Sequence, residues 1–272
     1  GVELALAEVG MGGRWDATNV LDPIVTVLTH VGLDHMAFLG ETKEAIAREK
    51  LATARAGRLL VLGPSLEVDW VRPLLEVEPV LCPAPRVVAE SVQRDHSVVQ
   101  GHRVGLAGLH QLENLATALE TLRRLEGLGI ALPDDALWRG IAQTQWPGRL
   151  WAVPGLENVW MDGAHNPDGA AVVARHAKAC GVQPHLLFGA MGDKDLPAMA
   201  RTLKTLEPLS ITLIRGDNPR YATEDALRAA WGDVPVRTIA HAVADLREPS
   251  SETRLVTGSL FLLGDLLREL KL

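Results

Sequence analysis

Cysteine is scarce in this chain of 272 residues, which holds only Cys82 and Cys180. The two lie far apart in unlike contexts, which argues against a disulfide framework and against a cysteine-based zinc site. A reducing cytoplasm is the compartment this usage implies. An excess of basic charge is also missing. Lys and Arg number 27 against 34 Asp and Glu, for a formal net charge of -7. Nucleic-acid binding usually needs a basic stripe, so it is not expected, although a local basic pocket for an anionic ligand fits the same totals. No apolar run reaches the length of a membrane span. No basic-then-apolar leader opens the chain, and neither an internal repeat nor a low-complexity segment is present. No Gly-Lys-Ser/Thr sequence occurs, so the chain carries no P-loop. Its first residue is not Met, and it opens in a strand-like run, Val2-Glu3-Leu4-Ala5-Leu6-Ala7-Glu8-Val9. A missing upstream part is the expectation that follows.

Apolar residues make up 47% and charged residues 22%, ordinary values for a globular protein with a real core. The length suits one large domain or two modest ones. Short apolar runs alternate with helical patterns, which predicts α/β layers built on mostly parallel sheets. Strands are expected at 3–9, 24–29, 58–62, 158–162, 185–189, 209–214 and 253–257. Helices are expected at 41–56, 110–126, 134–142, 168–180, 195–206, 223–231, 241–247 and 259–270, with Thr42 at the start of the first. The run Ser97-Val98-Val99-Gln100-Gly101-His102-Arg103-Val104 reads as a hairpin insert. The Pro-Gly pair in Trp146-Pro147-Gly148-Arg149 breaks the helical pattern, so the expected domains are 1–146 and 147–272.

Six clusters could carry chemistry, and each has a plainer alternative. In Glu8-Val9-Gly10-Met11-Gly12-Gly13-Arg14-Trp15-Asp16-Ala17-Thr18-Asn19 a carboxylate precedes a glycine-rich loop. Glycines let backbone approach a ligand closely, and strand ends are where open α/β sheets bind ligands. Taken alone, the same run reads more simply as a tight turn with an exposed Glu. In Thr29-His30-Val31-Gly32-Leu33-Asp34-His35, His35 could share a metal with Glu8 or be a structural histidine. In Arg48-Glu49-Lys50, Lys50 is either part of a solvated helix face or a desolvated amine that takes up CO₂ as a carbamate. Asn114, in His110-Gln111-Leu112-Glu113-Asn114, could cap a helix or contact a base. Arg149, with Asp162 and His165 in Asp162-Gly163-Ala164-His165-Asn166-Pro167, suits phosphate and ribose chemistry at a strand end and helix entrance. Gly192-Asp193-Lys194-Asp195 and Gly258-Ser259 also sit at strand ends, the latter reading as a helix cap.

Taken in order along the chain, these motifs resemble the folylpolyglutamate synthase/dihydrofolate synthase family, a branch of the Mur ligase superfamily. The resemblance runs from Glu8 to Ser259, and the Asp16-Ala17-Thr18-Asn19 tail is its most specific part. It implies the remainder of a P-loop-type ATPase domain followed by a Rossmann-like C-terminal domain, with ATP bound between them. It also implies a cytoplasmic enzyme, monomeric when complete, that joins L-glutamate to folate or dihydropteroate through an acyl phosphate. By the same resemblance Glu8 and His35 would bind magnesium, and carbamylated Lys50 would hold a second magnesium. Asn114, Arg149 and Asp162 would contact ATP, and His165 would sit near the phosphates and the glutamate amine, with His165 and Lys50 as the catalytic candidates. The family's P-loop and folate-binding loop lie upstream of its counterpart of Glu8, so residues 1–272 alone are expected to be inactive. A Mur-type peptide ligase and a non-catalytic remnant that binds a partner are the rival readings.

Overall fold

A computed structural model describes residues 2–33, 35–130 and 132–272. Asp34, from the Leu-Asp-His run, lies outside the described residues. The chain forms two compact units, Gly1–Val88 with Gln111–Ala136, and Ala89–His110 with Leu137–Leu272.

The first unit contains β1 (Val25–Leu28), α1 (Met36–Leu39), α2 (Lys43–Leu51), β2 (Leu59–Leu62), α3 (Val68–Val71) and β3 (Val80–Pro83). The strands form a parallel sheet in the order β1-β2-β3. The central strand, Leu59-Leu60-Val61-Leu62, is apolar throughout because parallel strands are covered on both faces. Leu60, Val61 and Leu62 are fully buried. Ile46, Ala47 and Leu51 of α2 pack into the same core. Thr42 begins α2 as expected, its Oγ1 accepting the Ala45 N–H at 3.1 Å.

Between the two stretches of the first unit, β4 (Ser91–Val92), β5 (Ser97–Val99) and β6 (His102–Val104) form the antiparallel insert foreseen at 97–104. Next come α4 (His110–Glu126) and α5 (Asp134–Gln143). The second unit continues with β7 (Trp151–Ala152), β8 (Val159–Asp162), α6 (Pro167–Ala179), β9 (His185–Phe188), α7 (Leu196–Lys204) and β10 (Ser210–Arg215). It ends with α8 (Glu224–Trp231), β11 (Val236–Thr238), α9 (Ile239–Arg247), β12 (Arg254–Thr257) and α10 (Leu260–Leu270). The sheet order is β11-β10-β9-β12-β8-β7, all parallel except β7.

One core joins residues of α6, α7 and α8 to one face of this sheet. A second core joins α9 and α10 to the opposite face. The α/β expectation therefore holds, and parallel β8, β9, β10 and β12 bring their C-terminal ends to one edge of the sheet.

Two expectations need correction. Residues 3–9 form no strand, because none of the described residues pairs with them and an unpaired strand leaves its ladder groups unsatisfied. Val2, Leu4 and Leu6 of this segment are exposed. The helix expected at 41–56 ends at Leu51, where the Thr53 hydroxyl donates to the Lys50 carbonyl at 2.9 Å and closes the last turn.

The second unit's core is tested at Phe188, which is fully buried with its ring 4.7 Å from that of Trp231. Phe188→Ala is expected to destabilise this unit by about 3–5 kcal/mol, read as a lower urea midpoint at unchanged slope.

Candidate functional site

The glycine-rich loop of the first unit is held by its own polar residues. Asp16 Oδ2 accepts the N–H groups of Gly10 at 3.0 Å and Met11 at 3.2 Å. Its Oδ1 accepts the Thr18 hydroxyl at 2.6 Å and the Thr18 N–H at 2.9 Å. These donors, the Thr18 hydroxyl foremost, stabilise the carboxylate and lower its pKa to about 2. Arg14 ties the loop to α2. Its N–H donates to the Glu49 carbonyl at 2.9 Å, and its Nε to Glu49 Oε1 at 2.9 Å. The other arm of the guanidinium forks onto Glu76 at 2.5 and 3.0 Å. Asn19 closes the knot, donating to the Arg14 carbonyl at 2.9 Å and accepting from Arg55 at 2.9 Å. Gly13 is required by contact, since a Cβ there would lie 2.8 Å from the Glu49 carbonyl oxygen and 3.0 Å from that of Lys50. The loop thus rests on the last turn of the helix that carries Lys50.

Of the metal candidates, Glu8 is exposed on the irregular N-terminal segment. His35 is exposed and precedes α1 in the left-handed conformation, φ 52°. Its carbonyl accepts the N–H groups of Phe38 and Leu39 at 2.9 and 3.0 Å. Lys50 is half-buried, and its amine makes no hydrogen bond or ion pair among the described residues. No group of three or more His, Cys, Asp or Glu among the described residues is placed to hold a metal. Asn114 is exposed within α4 and donates to Gln111 Oε1 at 2.8 Å. The helix begins four residues earlier, at His110, so Asn114 is not its cap.

In the second unit, Asp162 ends β8 and is buried. Its Oδ2 accepts the Leu150 N–H at 2.8 Å, and its Oδ1 accepts the Ala164 N–H at 2.8 Å. Burial raises its pKa, against the opposing pull of these two amides and the Arg149 charge. A third bond, from the Gly163 N–H to the Gly148 carbonyl at 2.8 Å, completes the attachment. The Pro147–Leu150 turn is therefore fixed to the end of β8, and it holds Leu150 at φ 42°. A Cβ on Gly163 would lie 2.2 Å from Leu260 Cδ2, so a larger residue there requires the Leu260 side chain to shift.

Arg149 emerges from this turn half-buried; its N–H donates to the Trp146 carbonyl at 3.1 Å, and its guanidinium makes no hydrogen bond or ion pair among the described residues. It lines a cleft of about 100 Å³ together with Asp95, Arg103, Trp146 and Trp151. Arg103 is already engaged by Asp95 at 2.8 Å, which leaves Arg149 as the cleft's uncommitted guanidinium. His165 is exposed three residues after Asp162, at the entrance to α6. Its Nδ1 lies 3.0 Å from the Gly163 carbonyl. A carbonyl only accepts, so Nδ1 carries the proton and Nε2 is the acceptor of the neutral ring.

The remaining strand-end motifs are structural. Asn166 caps α6 through the Gly169 N–H at 2.7 Å, and Asp195 caps α7 through the Ala198 N–H at 3.0 Å. Ser259 caps α10 through the Phe261 N–H at 3.1 Å, as its sequence context suggested. The structure thus brings Arg149, Asp162 and His165 to one end of the second sheet. The two tryptophans of the cleft, three and two residues from Arg149, were missed in the sequence as site residues, because only the fold shows that they line the cleft with it.

Residues 148–259 match the family model described as Mur ligase, glutamate ligase domain. The dihydrofolate synthase/folylpolyglutamate synthase of Bacillus subtilis is 30% identical over 295 residues, covering 99% of this chain and 68% of that protein. Among solved structures, Escherichia coli FolC in complex with DHPP and ADP aligns with a TM-score of 0.74 at 27% identity, covering 97% of this chain and 65% of that one. The bifunctional folylpolyglutamate synthase/dihydrofolate synthase of Yersinia pestis, complexed with AMPPNP and Mn ion, aligns at 0.69 and 25% identity, covering 97% and 65%. The chain therefore spans about two thirds of the length of these relatives.

The Asp16 knot generates a pH prediction. A carboxylate whose pKa falls on folding stabilises the fold above its unfolded pKa, near 3.8, and loses that contribution as pH falls towards 2. Asp16→Asn is expected to lower the melting temperature at pH 7, with the gap to wild type closing between pH 4 and pH 2. Thermal melts across that range check it, and a pH-independent gap would contradict it.

Proposed function

The chain belongs to the folylpolyglutamate synthase/dihydrofolate synthase family, and from that premise we propose that it forms the larger part of an ATP-dependent ligase joining L-glutamate to a folate or dihydropteroate carboxylate. The observation that carries this reading is Arg149, an uncommitted guanidinium in a small cleft, mounted on a turn that Asp162 fastens to a parallel strand end. ADP and AMPPNP in the solved relatives support a nucleotide. The manganese in one of them supports a divalent cation.

In the proposed reaction, a folate carboxylate oxygen attacks the γ-phosphorus of ATP, giving an acyl phosphate and ADP. The glutamate amine then attacks the acyl carbon, and phosphate leaves. Such transfers depend on alignment and charge neutralisation more than on covalent help from the protein. Arg149 orients the phosphate oxygens through its planar fork. Asp162 sets the position of that fork, and the lone pairs its two amide contacts leave unused suit ribose hydroxyls. Asn114 takes the adenine. His165 Nε2 accepts a proton from the attacking amine.

Magnesium is commonly held by one or two carboxylates plus substrate phosphates rather than by an all-protein cage. Glu8, exposed and in no cluster of metal-binding side chains among the described residues, would supply a carboxylate in that mode, with His35 as the second ligand. The half-buried Lys50 amine, without a partner among the described residues, fits carbamylation and the second magnesium. When bound, the two ions would neutralise charge on the transferred group.

The reading requires a phosphate cradle, and these 272 residues contain no Gly-Lys-Ser/Thr to make one. The first unit has a surface suited to the segment that would supply it. Among the described residues β1 is a sheet edge, paired only with β2. Of the 23 exposed large apolar residues described, 12 fall among the first 38 positions. An apolar edge strand of a parallel sheet calls for a cover, and we assign that cover to a P-loop-bearing strand. No described helix is long and apolar enough to cross a membrane, and the reading places the enzyme in the cytoplasm as a monomer.

Two assays test this. Residues 1–272 alone are expected to show no ATP-dependent glutamate ligation. Joined to the upstream third of the Bacillus subtilis relative, they are expected to ligate labelled glutamate to dihydropteroate or folate. Arg149→Ala in that chimera is expected to lower kcat by about 10²–10³-fold. A folded chimera that binds ATP and forms no glutamyl product would overturn the proposal.

A further inference from the structure

A second reactive cluster lies at the opposite end of the second unit's sheet, where the parallel strands begin. His185 is the first residue of β9, and Ser210 is the first residue of β10 and its direct partner in register. Glu252 lies two residues ahead of β12. His185 Nδ1 is 2.8 Å from Ser210 Oγ, and its Nε2 is 2.5 Å from Glu252 Oε2.

The proton positions follow from the partners. An ionised carboxylate only accepts, so Nε2 carries the proton it donates to Glu252. In the neutral ring Nδ1 is then an acceptor, and the only proton that can occupy the Ser210 contact is the hydroxyl's own. The order is therefore serine O–H to imidazole, then imidazole N–H to carboxylate. A nucleophile within hydrogen-bond reach of a base that a third group orients is the arrangement that activates serine hydroxyls.

The backbone holds all three members. The His185 N–H donates to the Thr253 carbonyl at 2.8 Å, and the Leu209 N–H donates to the Pro184 carbonyl at 3.0 Å. The Glu252 N–H donates to Ser250 Oγ at 3.1 Å. The cluster is open to solvent, with His185 and Glu252 side chains 33% and 54% exposed. A substrate here must be small and must already carry a good leaving group.

We propose that Ser210, activated by His185 and Glu252, is a nucleophile that takes acyl groups from small activated esters, separately from the nucleotide-facing end of the sheet. Ser210 Oγ attacks the ester carbonyl carbon while its proton passes to His185 Nδ1, and Glu252 stabilises the imidazolium. The C–O bond to the leaving alcohol breaks, and that alcohol departs with the proton from His185. The product is an ester of Ser210. Water, deprotonated by the same imidazole, then cleaves it to the free acid and restores the hydroxyl, so the sum is one ester and one water giving one acid and one alcohol.

The test uses the purified chain with p-nitrophenyl acetate, following p-nitrophenolate release, intact mass and peptide mapping. The expected result is a single acetyl group on Ser210. Ser210→Ala should lose that acetyl group at an unchanged melting temperature. His185→Gln should slow acetylation by about 10²-fold or more, the usual share of a general base. Glu252→Gln should slow it less and shift its pH profile. The same Ser210 should react with a fluorophosphonate. Acetyl groups on lysines alone, or nitrophenolate release equal in wild type and Ser210→Ala, would overturn the proposal.

Discussion

The end of the second unit's sheet that carries Arg149 and His165 depends on one buried carboxylate. Asp162 accepts one backbone N–H from Leu150, twelve residues earlier, and one from Ala164, two residues later. Burial works against its charge, and the two amides are what make the ionised form tolerable there. The return is positional. A Pro-Gly-Arg turn with a left-handed Leu150 would not stay in one place unaided, since a non-glycine residue at positive φ persists only where its surroundings over-determine it. Fastened to β8, the turn delivers Arg149 to the cleft. The Arg149 N–H itself helps close the turn, donating to the Trp146 carbonyl at 3.1 Å, while its guanidinium is not used in holding it.

The first unit solves a similar problem with other residues. Its glycine-rich loop follows a segment without regular structure, and it is held by the Asp16 carboxylate and by the Arg14 fork onto Glu49 and Glu76. The motif most specific to the family thus acts in this chain as wiring. Its charged and amide side chains are spent on backbone and on one another, while its glycines admit close approach to α2. Lys50 sits in the turn that this wiring clamps, and its amine stays outside the network. In both units, then, the motif residues fall into two kinds. Some are consumed in holding a loop, and one cation per unit, Lys50 and Arg149, is held out.

Much of this was legible in the sequence. The apolar runs at 58–62, 158–162, 185–189 and 253–257 became buried parallel strands, because covering both faces of a strand demands apolar residues throughout. The caps at Thr42 and Ser259 could be read because a cap is a local interaction over two or three residues. The run 3–9 misled because alternation marks a strand only when a partner exists to pair with it. The double role of Asp162 was hidden because the Leu150 amide reaches it only through the tertiary turn. Asn114 was legible as a polar residue near a helix start, but its distance from the first turn was not. The Ser210–His185–Glu252 chain had no sequence signal at all, since its members sit 25 and 67 residues from the histidine.

The central claim is that the Pro147–Leu150 turn and the Gly163–His165 strand end, joined through Asp162, form the nucleotide-phosphate side of a glutamate ligase. Hydrogen–deuterium exchange on the chain joined to the upstream third of its Bacillus subtilis relative, with and without Mg²⁺ and a non-hydrolysable ATP analogue, tests this most directly. The account predicts slowed exchange in peptides covering residues 147–150 and 163–166, lost in Arg149→Ala. Nucleotide binding that leaves exchange in both peptides unchanged would contradict it.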